Sequence, residues 1–141
     1  RQMEAVCLTD HPHILLAEDD LELRELISFS LSRAGYLVTQ CDNGRCLLDQ
    51  LRQPHNFDLV ISDLRMPVLS GIEALEQLRG EALPPVICMT AFGDPALHAQ
   101  TRSLGAAATI DKPFDLDEMI ELIAATRLQN FNPTRYSGVD S

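Results

Sequence analysis

The chain has 141 residues, 45% of them hydrophobic, enough for one domain with a real core. Acids number 21 and bases 11, a formal net charge of −10, which excludes direct nucleic-acid binding through a basic surface and binding to an anionic membrane. Ten of the bases are arginine and one is lysine, Lys112.

Residues 1–12 are polar and unpatterned and read as an N-terminal extension; the chain starts at Arg1 rather than Met, which leaves open whether it is a fragment. His13 to Ala17 is a short apolar run, the pattern of a buried parallel strand, and it stops at Glu18-Asp19-Asp20. Leu23, Leu26, Ile27 and Leu31 then recur at helical spacing, and Gly35 stands just past that helix as its stop signal. Tyr36 to Thr39 predicts a second strand, and Gly44 to Leu51 a short helix. Phe57 to Ser62 predicts a buried strand ending at Asp63, followed by a helix over Gly71 to Leu78. Pro85 to Met89 predicts a strand ending at Thr90, and Pro95 to Leu104 a weakly amphipathic helix. Ala107 to Ile110 is the fifth strand candidate, and Leu116 to Thr126 the last helix. Residues 128–141 lose periodicity and read as a tail or linker.

No apolar stretch approaches a membrane span, and no signal peptide opens the chain. Cys7, Cys41, Cys46 and Cys88 include no CxxC pair; they predict neither a disulfide framework nor a zinc site, and so a reducing cytoplasm.

Five strands alternating with five helices predict an open, doubly wound parallel α/β sheet of one domain over residues 13–127. Such sheets carry their sites outside the carboxyl ends of the strands. The residues there are Glu18, Asp19 and Asp20, then Asp63, Thr90 and Lys112. Clustered carboxylates repel one another unless a cation balances them, and an all-oxygen donor set favours Mg²⁺ or Mn²⁺ over zinc. A divalent ion beside a free carboxylate and a lysine suits phosphoryl chemistry, with the carboxylate as nucleophile and the lysine as a compact point charge. Taken singly, each feature also has an ordinary structural reading. The acidic triplet caps a helix, an Asp closes a turn, and Lys-Pro follows a strand. Their order and shared edge carry the sharper reading.

The stretches ILLAEDDLELRELI, DLVISDLRMPVLSGIEAL, PVICMTAFG and LGAAATIDKPFDLDEM resemble the receiver domain of two-component response regulators, in wording close to the nitrogen-regulation (NtrC) type. The resemblance covers roughly residues 13–127. It implies a flavodoxin-like (βα)5 fold with strand order 2-1-3-4-5. It implies Asp63 as phosphoacceptor, taking the phosphoryl group from a phosphohistidine on a histidine kinase or phosphotransfer protein. Asp19 would ligate Mg²⁺ directly, Glu18 through water, and the Arg65 carbonyl would complete the protein ligands. Asp20 would cap the first helix. Thr90 would swing toward the phosphoryl group, Lys112 would bind one of its oxygens, and the Lys112-Pro113 bond would be cis. Arg65 and Phe92 would tune self-dephosphorylation, with Phe92 shielding the site.

The resemblance implies no conventional enzyme, only catalysis of its own phosphorylation and dephosphorylation. The phosphoryl group would bias the face built by helix four, strand five and helix five toward a partner, an output domain that regulates transcription, or a second copy. Residues 128–141 fit either a linker to such an output or the short tail of a stand-alone receiver.

One position departs from the family pattern. Three residues before the lysine, an aromatic switch partner is usual, and here the residue is Thr109. The small side chain leaves room that a partner could fill. It also supports the alternative of a phosphorylation-independent pseudo-receiver. A phosphatase of the haloacid-dehalogenase type would need a second Asp where Arg65 stands.

Overall fold

The computed structural model describes residues 11–91 and 94–129. Its strands are β1 (His13–Ala17), β2 (Leu37–Cys41), β3 (Leu59–Asp63), β4 (Val86–Ala91) and β5 (Ala108–Lys112). Its helices are α1 (Leu21–Arg33), α2 (Gly44–Arg52), α3 (Gly71–Gln77), α4 (Pro95–Ser103) and α5 (Leu116–Gln129). All strand pairs are parallel, in the order β2-β1-β3-β4-β5, as the family resemblance implies.

Side chains alternate across a strand, so each strand feeds two cores. Leu15, Ala17, Val60 and Cys88 face α2, α3 and α4, where they pack on Leu47, Leu48, Ala74, Leu75 and Leu97. Ile14, Leu16, Leu59, Ile61, Ile87 and Met89 face α1 and α5, against Ile27, Leu31, Met119 and Ile123. With both faces covered, β1 and β3 need continuous apolar sequence, which is what HILLA and LVIS supply.

Three strands run further than the sequence pattern predicts. Asp63, Thr90 and Lys112 are rungs of β3, β4 and β5 rather than residues beyond them. The ladder continues into the polar residues because Asp63 pairs with Met89, Thr90 with Asp111 and Ala91 with Lys112. At the other end of the chain, α5 continues to Gln129, two residues into the expected tail; the rest of that tail, like the extension 1–10, lies outside the described residues.

The cysteine reading needs correction. Cys41 and Cys46 form a disulfide, with Cα atoms 5.6 Å apart. The spacing conceals the pair: Cys41 ends β2, the chain turns at Asp42-Asn43, and Cys46 sits in the first turn of α2, capped by the Asn43 side chain. Cys88 is free and buried, and burial pushes its thiol pKa up to about 12. It packs as a small apolar side chain.

Candidate functional site

Glu18 follows β1 directly, and its N–H donates to the Cys41 carbonyl at 3.0 Å. Asp20 caps α1, its Oδ1 accepting from the N–H groups of Glu22 (3.0 Å) and Leu23 (3.3 Å), as predicted. That role takes Asp20 out of the acidic cluster. The cluster itself is Glu18, Asp19 and Asp63, whose nearest carboxylate oxygens all lie within 4.8 Å of one another. Glu18 is 1% exposed and Asp63 9%, whereas Asp19 is exposed.

Lys112 closes the pocket. Its Nζ donates to Glu18 Oε1 and to Asp63 Oδ2, both at 2.7 Å. Asp63 Oδ1 accepts from the Arg65 N–H at 3.1 Å, so the phosphoacceptor candidate is held from both sides. Burial raises the Glu18 pKa, against the opposing pull of the Lys112 hydrogen bond. Burial alone would lower the Lys112 pKa, but its hydrogen bonds to Asp63 and Glu18 and their charges hold it above the ordinary lysine value. The Lys112-Pro113 peptide is cis.

Asp63 sits against the start of α3. A Cβ on Gly71 would collide with the Asp63 carbonyl oxygen, so only glycine allows this approach. Ser70 caps α3 with a capping box to Glu73 and sets the helix direction.

Strand alternation separates Thr90 from this group. Glu18, Asp63 and Lys112 fall on the α1/α5 side, while Thr90, Thr109 and Asp111 fall on the α4 side. There Thr90 meets two residues that the sequence reading passed over. Its hydroxyl donates to Asp111 Oδ1 at 2.5 Å, and His98 Nε2 of α4 lies 2.6 Å from the same oxygen. His98 Nε2 is also 3.2 Å from the Thr90 hydroxyl, and His98 Nδ1 is 3.4 Å from the Thr109 hydroxyl. The room beside Thr109 is thus occupied from within the chain. The hydrogen bonds from Thr90 and then His98 lower the Asp111 pKa. A sequence signal for Asp111 did exist: it shares the strand face of Thr109, two residues on, and directly precedes the lysine. His98 had none, because nothing local links it to β5. Phe92 lies outside the described residues.

A 2-1-3-4-5 parallel sheet with an acidic, lysine-bridged pocket at its carboxyl edge defines a flavodoxin-like α/β domain of one known type. Residues 14–124 match the response regulator receiver domain family, and the chain belongs to that family. It is similar to the transcriptional regulatory protein FixJ of Bradyrhizobium diazoefficiens, at 37% identity over 117 residues, 82% of this chain and 57% of FixJ. It is also similar to the regulatory protein AtoC of Escherichia coli, at 36% identity over 117 residues, 82% of this chain and 25% of AtoC. The chain therefore spans between a quarter and little more than half of these relatives.

Among solved structures, full-length FixJ from B. japonicum superposes with a TM-score of 0.78 at 33% identity, over 91% of this chain and 63% of that one. The chemotaxis response regulator CheY4 of Vibrio cholerae gives 0.76 at 27% identity, over 83% and 99%. These findings place the chain in two-component signalling. No helix among the described residues is long and apolar enough to cross a membrane.

Proposed function

We propose that this chain is a phosphorelay receiver that accepts a phosphoryl group on Asp63 from a phosphohistidine of a histidine kinase or phosphotransfer protein. The observation that carries the reading is Lys112 Nζ, 2.7 Å from both Glu18 Oε1 and Asp63 Oδ2. A cation fixed on one oxygen of a buried carboxylate, at the carboxyl edge of the sheet, is arranged for charge that develops during transfer. A carboxylate oxygen of Asp63 attacks phosphorus, the P–N bond breaks, and its electron pair returns to the imidazole. Lys112 then exchanges a carboxylate oxygen for a phosphoryl oxygen.

The three-carboxylate set of Glu18, Asp19 and Asp63, all oxygen donors, fits Mg²⁺ or Mn²⁺. Asp19 and Asp63 would hold the ion, with Glu18 through water and the Arg65 carbonyl as a further ligand. When bound, it supplies neutralisation of phosphoryl charge. The domain comprises residues 13–127, and its receivers are an output domain or downstream protein, with α4, β5 and α5 as the switching face and as a homodimer face. A cytoplasmic location is proposed from membership of the receiver family alone, because the Cys41–Cys46 disulfide removes the cysteine argument for it.

Acetyl phosphate with MgCl₂, followed by intact-mass measurement, tests the reading. One added phosphoryl mass on the wild type, absent in Asp63→Asn, supports it. A wild type without adduct would instead favour a phosphorylation-independent module, for which Thr109 is the one supporting residue.

A further inference from the structure

The Thr90 hydroxyl, which the family resemblance sends toward the phosphoryl group, is already committed elsewhere. Thr90 has one hydroxyl proton, and it is directed to Asp111 Oδ1 at 2.5 Å. His98 Nε2 lies 2.6 Å from that same oxygen, from α4. One assignment gives each proton an acceptor: Thr109 Oγ1 donates to His98 Nδ1, His98 Nε2–H donates to Asp111, and Thr90 donates to Asp111. The arrangement depends on Thr109 being small and polar, because an aromatic ring there would neither donate to Nδ1 in this way nor leave the imidazole its place.

Thr90 is 1% exposed, so its hydroxyl proton cannot simply pass to water. To leave Asp111 it must find another acceptor, and a phosphoryl group on Asp63 would be one. Asp111 is partly exposed and is re-solvated when released.

We propose that Asp111, braced by His98, is a positioning residue that keeps the Thr90 hydroxyl away from the phosphoryl site until a phosphoryl oxygen competes for its proton. The proposal rests on Asp63 as phosphoacceptor. Side chains on β4, β5 and α4 thus form a latch on the switch threonine, in place of an aromatic partner.

The test follows phosphoryl uptake from acetyl phosphate and MgCl₂ by intact mass over time. Asp111→Ala is expected to speed uptake about tenfold. Asp111→Asn keeps the shape and an acceptor without the charge, and falls between Asp111→Ala and wild type. On a Thr90→Ala background, Asp111→Ala adds nothing, because the residue it acts through is gone. An unchanged rate in Asp111→Ala and Asp111→Asn, or the same factor on the Thr90→Ala background, overturns the proposal. Nitrogen NMR of the His98 imidazole in the unphosphorylated chain gives a reading independent of phosphorylation. The Nε2–H tautomer is expected, and a predominant Nδ1–H tautomer overturns the latch. A wild type that takes up no phosphoryl group overturns the reading of Asp63 and the latch together. A phosphorylated wild type with unresponsive Asp111 variants overturns the latch alone.

Discussion

Lys112 Nζ lies 2.7 Å from Asp63 Oδ2, although 49 residues separate the two in sequence. The same ammonium reaches Glu18 Oε1 at 2.7 Å, so one compact cation spans two carboxylates. A guanidinium is longer, planar and forked, and would have to seat its fork where one compact ammonium now sits between the two oxygens. Lys112→Arg is therefore expected to keep the fold by circular dichroism and to slow phosphoryl uptake about 100-fold. In a chain whose other ten bases are arginine, retention of wild-type uptake by Lys112→Arg would show that a flexible point charge is not required.

The acidic cluster predicts a metal-dependent stability. A ligand that binds only the folded chain stabilises it by about 2.7 kcal/mol at 100 times its dissociation constant. Thermal unfolding of wild type should therefore shift upward with MgCl₂. Asp19→Asn should lose most of that increment, and a wild-type midpoint insensitive to MgCl₂ would count against the site.

Asp111 gives a pH signature. Its folded pKa lies below the ordinary value of 3.8, through the Thr90 and His98 hydrogen bonds. A depressed carboxylate pKa adds stability that is fully present above the unfolded value and is lost as pH falls through the folded one. Wild type should thus exceed Asp111→Asn in urea midpoint near pH 6, and the difference should shrink once the pH falls below 3.8 and be lost as it passes the lowered folded value. A difference that persists in acid would assign the effect to packing instead.

Thr109→Tyr tests the same network from its far end. The larger side chain displaces His98, at a cost of about 1–3 kcal/mol for overpacking. Uptake should then quicken toward the rate of Asp111→Ala, and adding His98→Leu should change little further. Slower uptake in Thr109→Tyr would speak against His98 as the brace.

Val68 tests the backbone beside the site. It has φ +70° and is 83% exposed, an uncommon conformation for a β-branched residue. Val68→Asn or Val68→Gly should raise the urea midpoint by an amount worth about 1 kcal/mol.

The pocket residues were legible in the sequence because each ends an apolar run, and the parallel-sheet rule gathers such ends at one edge. Asp63, Thr90 and Lys112 were misplaced only by their strands' last rungs, since polar residues break the hydrophobic pattern before the hydrogen-bond ladder ends. His98 was not legible: it reaches β5 across tertiary space, and the weak amphipathicity of Pro95 to Ser103 marks no residue as special. The Cys41–Cys46 bond was missed for a related reason, as a strand end and a helix start come together only through the turn between them.

The close approach at Gly71, repeated at Gly44, has a consequence for how such a domain can diverge. α3 meets the Asp63 carbonyl at Gly71, and α2 meets the Leu69 carbonyl at Gly44, whose N–H donates to it at 2.7 Å. On the α2 and α3 side, the pocket is wired to its neighbours through main chain, which substitution of side chains cannot rewrite. On the α4 side the wiring is hydroxyl, imidazole and carboxylate, replaceable one codon at a time. Drift in what the pocket reports should therefore accumulate on the α4 side, while the other half of the domain stays in step with it.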